Sequence, residues 1–280
     1  MQVIRSIAEM QAQSRSWLRQ GTVVGLVPTM GYLHEGHLSL VDTAREKCGA
    51  VVVSIFVNPM QFGPKEDYDN YPRNEKQDLD LLEARGTDVV FIPRLEDMYP
   101  KGFETRVELT RLPNHLCGLR REGHFRGVTT VVLKLFAAVL PDIAVFGEKD
   151  YQQVLVIRRM VSDLNLPIEV VAAPTVREPD GLAMSSRNSY LSPDERRTAA
   201  CVFQALLRVR QMVNGGVVDT IMLRRSMTEI IEQAGAQVDY VAVIDPDTLD
   251  ELQLIKERAH AAVAAFVGKT RLIDNLRLKG

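Results

Sequence analysis

Apolar residues fall along this chain in short β-branched runs, separated by longer stretches in which they recur every three or four positions. The runs cover residues 23–27, 51–57, 89–92, 143–146 and 168–172. They are apolar on both faces, the pattern of strands sandwiched inside a parallel sheet; a half-exposed hairpin would alternate. The helical periodicity predicts helices over residues 4–19, 37–48, 74–85, 127–139 and 151–163. Strand and helix therefore alternate, and the expected fold class is α/β, a doubly wound parallel sheet covered by helices on both sides.

The alternation stops at PTVREPDGLAMSSRNSYLSP, residues 174–193, which is dense in Pro, Ser, Gly and charge. A boundary is expected here, with one domain over residues 1–176 and a smaller one over 177–280. Beyond it, Ser192-Pro193-Asp194-Glu195 reads as a helix start: Ser192 as N-cap, Pro193 at the first helical position, Glu195 closing a capping box. That helix should run to about residue 214, where Gly215-Gly216 stops it. A second, over residues 219–234, leads to strands at 238–244, 262–267 and 271–277. No crossover helix separates the last two, so they cannot be parallel neighbours. The second domain is accordingly expected to be α+β with an antiparallel sheet.

Composition narrows the partners. The chain has 280 residues, 46% hydrophobic and 25% charged, enough for a sizeable core, and roughly 150 residues per domain gives about two domains. With 34 Lys and Arg against 36 Asp and Glu, the net charge is −2, so there is no bulk positive field for nucleic acid or an anionic membrane. Any phosphate must be gripped locally. Cys48, Cys117 and Cys201 are odd in number and widely spaced, which excludes a complete disulfide framework and suits a cytoplasmic chain with reduced thiols. The N-terminus lacks the uninterrupted apolar core of a signal peptide. The most apolar stretch, residues 128–146, is broken by Lys134, Pro141 and Asp142 short of the ~20 residues a membrane helix needs.

Four constellations carry chemistry. After the first long apolar strand comes PTMGYLHEGH, in which His34 and His37 stand three residues apart at a helix start. In an open parallel sheet ligands bind beyond the carboxyl ends of strands, and a helix N-terminus offers amide N–H groups to an anion. Gly31 and Gly36 let backbone approach a ligand. Two imidazoles there suit charge building on a phosphoryl group better than zinc, which needs a third ligand at recognisable spacing. The plainer alternative is that one histidine caps the helix and the other lies at the surface.

Next, FVNPMQFG puts two neutral amides, Asn58 and Gln61, at the end of the following strand, able to read hydroxyls or a carboxylate. An Asx turn accounts for Asn58 but not Gln61. The polar loop over residues 63–71 is either a mobile lid or a solvated surface loop. Third, FGEKDYQQ repeats the strand, glycine, helix order: Lys149 can neutralise phosphate and Gln153 can hydrogen-bond a polar substrate, or Glu148 and Asp150 merely favour the helix dipole. Fourth, Met184-Ser185-Ser186-Arg187-Asn188 supplies two hydroxyls and a guanidinium fit for a phosphate clamp, although Ser and Arg are common linker residues too. Arg106, Arg111, Arg120, Arg121 and Arg126 make one stretch locally basic, either guiding anions or pairing with acids. His260 has no partner motif and reads as structural.

PTMGYLHEGH, FVNPMQFG, GEKDYQQ and MSSRN, in that order over about 160 residues, closely resemble the pantothenate synthetase (pantoate–β-alanine ligase) family. More distantly, HEGH and MSSR resemble the HIGH and KMSKS signatures of class I aminoacyl-tRNA synthetases and nucleotidyltransferases. The resemblance implies a Rossmann-like catalytic domain, ATP with Mg²⁺, a homodimer, and a cytoplasmic role in pantothenate synthesis upstream of coenzyme A. It places ATP against Met30, Gly31, Tyr32, Leu33, His34, Glu35, Gly36, His37, Gly147, Glu148, Lys149, Asp150, Val176, Met184, Ser185, Ser186 and Arg187. It gives pantoate to Gln61 and Gln153, with Asn58 and Met30 beside them, and sets Gln61 next to β-alanine. Its catalytic residues would be His37 as proton donor, His34 and Lys149. Gln77-Asp78 departs from the paired acids of some relatives, so no metal ligand is named, and magnesium is expected to be held mainly by phosphates. Two rivals use the same residues: a nucleotidyltransferase acting on a phosphorylated acceptor, and a nucleotide sensor without turnover.

Overall fold

The computed structural model describes residues 1–64 and 66–279. In chain order the elements are β1 (Gln2–Ile4), α1 (Ile7–Arg19), β2 (Val24–Thr29), α2 (Glu35–Lys47), β3 (Ala50–Ile55), α3 (Glu75–Ala84), β4 (Val89–Phe91), α4 (Leu95–Met98), α5 (Leu116–Arg120), α6 (His124–Val139), β5 (Ile143–Gly147), α7 (Tyr151–Asp163), β6 (Glu169–Ala173), α8 (Pro193–Ala199), α9 (Cys201–Asn214), α10 (Thr220–Gln233), β7 (Gln237–Ile244), β8 (Ala259–Val267) and β9 (Thr270–Lys279). The described residues fall into two compact units. The first takes Met1–Thr110, Arg121–Glu148 and Gln153–Pro174; the second takes Arg111–Arg120, Lys149–Gln152 and the chain from Thr175 onward.

The first unit is built on a six-stranded parallel sheet in the order β1-β4-β3-β2-β5-β6. Successive side chains on a strand face opposite ways, and here both sets are buried. Val27, Val51, Val53, Val90 and Val145 join Leu38, Val41 and Ala44 of α2 and Leu82 of α3 in one core, while the alternate residues Leu26, Val52 and Ala144 are equally enclosed. α6 packs on β2 and on α1. The order of strands reverses between β2 and β5, so the crevice beyond their carboxyl ends is the topological switch point where such sheets take ligands. PTMGYLHEGH begins in the last two residues of β2, and Gly147 ends β5 with Glu148 just after it.

The second unit carries the antiparallel sheet β7-β8-β9 with α9 and α10 against it. Val202, Leu206, Leu223, Met227, Val243, Val263 and Leu272 lie in its core. A two-residue turn at Gly268-Lys269 joins β8 to β9, with Gly268 in the left-handed region at φ 57°. The Ser192/Glu195 capping box is formed in both directions.

Three expectations are corrected. The first helix begins at Ile7, not residue 4: Ser6 caps it by accepting the Glu9 N–H, and the residues before it form β1 beside β4. The helix expected over 193–214 is divided at Ala200, whose backbone stays helical (φ −61°, ψ −21°). The strand expected over 51–57 stops at Ile55, before the turn that Asn58-Pro59 opens. The three cysteines are unpaired thiols. Among the described residues no helix is long and apolar enough to cross a membrane.

Candidate active site

The turn after β2 is held open by one carboxylate. Asp78 of α3 is buried, and its oxygens accept from the Tyr32 N–H at 2.8 Å and the Leu33 N–H at 2.7 Å. Gly31 (φ 80°) and Tyr32 (φ 52°) are both left-handed there, and a Cβ on Gly31 would stand 2.9 Å from the Asp78 carboxylate. Burial pushes the Asp78 pKa up, opposed by those two amides. Thr29 supports the turn from below, its hydroxyl donating to Ser54 O and accepting the Gly31 N–H.

The chain then enters α2 with His34 as N-cap. His34 Nδ1 accepts the Gly36 N–H at 3.1 Å, so the neutral ring carries its proton on Nε2. The capping alternative is thus realised for His34, but it does not separate the pair: the His34 and His37 rings lie 4.1 Å apart, tilted by 37°. Two half-buried imidazoles sit at the positive end of a 13-residue helix. Glu35 is spent on an exposed ion pair with Arg85.

Gln61 follows β3 on a 3₁₀ turn at Pro59–Gln61 and is fixed at three points. Its backbone carbonyl accepts from His124 Nδ1 at 2.8 Å and Arg121 at 3.3 Å. Its side-chain oxygen accepts from Asn58 Nδ2 at 3.0 Å, and its Nε2 lies 3.2 Å from Met30 Sδ. Asn58 is fully enclosed: it also donates to Gly127 O and accepts from the Tyr99 hydroxyl at 2.7 Å and the Met60 N–H. Asn58 therefore orients Gln61, and Gln61 presents its NH₂ end. A Cβ on Gly127 would come 2.2 Å from Met60 O, so glycine is what lets α6 press against this turn. Gln153 is half-buried on α7 in the same unit.

Of the loop over residues 63–71, Lys65 lies outside the described residues. Glu66 makes a two-pronged pair with Arg121 at 2.6 and 2.7 Å. Burial pushes its pKa up, and the Arg121 hydrogen bonds and charge bring it below the usual range. Tyr68 and Tyr71 pack edge-on against Phe62, and Tyr71 is buried.

Gly147 at the end of β5 and Glu148 just after it belong to the first unit, and the remaining expected residues, from Lys149 on, belong to the second unit. Lys149 and Asp150 are half-buried in a single 3₁₀ turn, and Asn275 Nδ2 donates to Lys149 O at 2.9 Å. Val176 accepts the Met184 N–H at 3.0 Å, and Arg177 and Ala183 form an antiparallel bridge, so Val176 and the serine segment sit side by side. Ser185 caps the next 3₁₀ turn by accepting the Arg187 N–H, and Ser186 is buried. Arg177 anchors the bridge: it grips the Asp274 carboxylate at 2.6 and 2.9 Å, donates to Gly181 O, and stacks 3.8 Å from the Phe203 ring. The basic stretch is largely paired internally, Arg111 with Asp250, Arg120 with Asp239 and Arg121 with Glu66.

Sequence reasoning missed Asp78, Tyr99, His124 and the Arg177–Asp274 pair. Only Asp78 left a trace, as an acid beside Gln77, and its partners are backbone amides that no residue pattern displays.

Comparison with known proteins gives the family. A family model described as pantoate-beta-alanine ligase matches residues 2–277. Pantothenate synthetase of Heliobacterium modesticaldum is 53% identical over 277 residues, 99% of each chain. That of Geobacter sulfurreducens is 51% identical over 98% of each chain. The crystal structure of the Thermus thermophilus enzyme superposes with a TM-score of 0.94 at 46% identity, covering 100% of both chains. That of pantoate-beta-alanine ligase from Francisella tularensis, complexed with beta-gamma ATP and beta-alanine, gives a TM-score of 0.84 at 35% identity, covering 99% of this chain and 98% of that one.

Proposed function

The chain belongs to the pantoate–β-alanine ligase family, and from that premise we propose that it condenses (R)-pantoate with β-alanine at the expense of ATP, by way of a pantoyl adenylate. An amine cannot displace hydroxide from a carboxylate near neutral pH, because hydroxide is too poor a leaving group; adenylation removes the obstacle. A pantoate carboxylate oxygen attacks the α-phosphorus, the bond to the β-phosphate oxygen breaks and pyrophosphate leaves. The amine nitrogen of β-alanine then attacks the acyl carbon, the carbon–oxygen bond to phosphate breaks, AMP leaves and the nitrogen loses a proton.

The observation that carries this reading is the imidazole pair 4.1 Å apart at the start of α2. Negative charge grows on phosphate oxygens in the first step, and preorganised donors at a helix N-terminus stabilise that charge more than the ground state. His34 offers Nε2–H, with His37 beside it as the proton donor; Met30, Gly31, Tyr32, Leu33, Glu35 and Gly36 line the same turn. Gly147, Glu148, Lys149, Asp150, Val176, Met184, Ser185, Ser186 and Arg187 complete the ATP contacts in this proposal. Gln61, offering its NH₂, binds an oxygen of pantoate together with Gln153, and Asn58 holds Gln61 in that orientation. A homodimer in the cytoplasm, supplying coenzyme A synthesis, completes the reading.

Magnesium, in this reading, is carried mainly by the phosphates of ATP, where one or two protein oxygens suffice. Among the described residues no three His, Cys, Asp or Glu side chains are grouped as a dedicated metal cage, and the Asp78 oxygens accept from two backbone amides.

Exchange of labelled pyrophosphate into ATP, with no amine present, tests the proposal. Exchange that requires pantoate supports the ligase. Exchange only with a phosphorylated acceptor would point to a nucleotidyltransferase, and ATP binding without any exchange to a sensor.

A further inference from the structure

His260 and Asn275 have no part in the reaction as drawn above, yet they form a buried, fully directed hydrogen-bond chain that ends on Lys149. Asn275 Nδ2 donates to Lys149 O at 2.9 Å. The other end of that amide, Oδ1, stands 2.8 Å from His260 Nε2, so it accepts and the imidazole proton sits on Nε2. The His260 ring is 5% exposed and stacks on Tyr151, two residues after Lys149, at 4.0 Å and 12°. The Tyr151 hydroxyl donates to Pro246 O at 2.7 Å. Asn275 is itself pinned, its N–H donating to the Asp274 carboxylate that Arg177 grips. Every residue of this chain belongs to the second unit. Burial pushes the His260 pKa down to about 4, so near neutral pH the ring is uncharged and its single N–H is the one directed at Asn275.

A lysine side chain carries four rotatable carbons and a point charge, so where its charge acts depends on how firmly its backbone is fixed. A displacement of about 1 Å at a reacting centre costs on the order of 10²-fold in rate. We propose that Asn275, its amide oriented by His260, is a positioning residue for Lys149 in the ATP-dependent step. This rests on the reading of Lys149 as an ATP contact.

The test is pyrophosphate exchange with Asn275→Ala, Lys149→Ala and the double variant, each checked for a native melting transition, with ATP and pantoate varied in turn. In Asn275→Ala, kcat/KM for ATP should fall by about 10- to 100-fold, while KM for pantoate stays within about twofold of wild type. In the Lys149→Ala background the same substitution should cost less than about twofold, because residues acting as one unit are non-additive. A Lys149→Ala enzyme close to wild type overturns the ATP reading and the proposal with it. A damaged Lys149→Ala beside an Asn275→Ala that retains its ATP parameters, or that adds its full cost to the double variant, overturns positioning alone. Should Asn275→Ala not fold, His260→Phe decides: it keeps the ring on Tyr151 and removes only the donor. A loss confined to ATP supports the proposal, and equal losses for both substrates or none refute it.

Discussion

The two imidazoles at the start of α2 occupy different helix positions, and the difference sets what a substitution does. His34 serves the fold as N-cap and presents Nε2–H; His37 stands inside the first turn, where a truncation leaves the cap intact. His37→Ala should therefore slow adenylation by about 10² to 10³, the usual loss for one preorganised donor, with an unchanged unfolding midpoint. Single-turnover formation of AMP measures it, and a rate within about threefold of wild type removes His37 from the mechanism. His260 predicts a pH effect instead. Its pKa, lowered by burial from 6.5 to about 4, means that the unfolded chain binds the extra proton between those values. The stability it contributes is complete above pH 6.5 and lost as pH falls toward 4, up to roughly 3 kcal/mol. Urea midpoints at pH 7 and 4.5 should diverge more for wild type than for His260→Phe; equal divergence contradicts the assignment. The histidine pair was legible because spacing alone puts both rings at one helix end. Asp78 and Asn275 were not, since each works on a backbone atom 45 or more residues away in the chain.

At the scale of elements, the 3₁₀ turn that carries Gln61 is only as well placed as the helix behind it. α6 begins at His124 and reaches the turn at Gly127, where Met60 backbone leaves no room for a Cβ. Gly127→Ala should cost about 1–3 kcal/mol of stability or more, because the obstructing atoms are backbone and cannot rotate aside. It should also raise KM for pantoate while leaving KM for ATP near wild type. Denaturant unfolding and initial rates read the two effects, and a neutral Gly127→Ala would show that α6 does not set the turn. Helix ends were readable wherever a side chain closes them. Ser192 and Glu195 announced α8, and Ser6 with Glu9 carried the same signal for α1. The signal at Ser6 was masked by Val3 and Ile4, which continue the helical apolar spacing but belong to β1. A three-residue strand has no periodicity of its own to compete.

For the molecule as a whole, the fold class was legible and the strand order was not. Doubly apolar runs separated by amphipathic stretches imply a covered parallel sheet, but which strand lies beside which is decided by pairings far apart in the chain. β2 lies between β3 and β5, and that reversal puts the HxGH turn and Gly147 at one end of the sheet. The near-neutral charge was a fair guide to the surface, where arginines such as Arg5, Arg45 and Arg85 are matched by acids of the same chain. Such exposed pairs contribute little stability, so each unit is held together by its own hydrophobic core. The register of β1 has one further consequence, for biosynthesis. Gln2 pairs with Val89, so β1 has no partner until 87 more residues have been made. At about 5 to 20 residues per second that is a wait of roughly 4 to 17 s. β1 thus joins the margin of the sheet only after β4 has emerged, whereas β2 and β3, neighbours in sequence as in the sheet, can pair sooner.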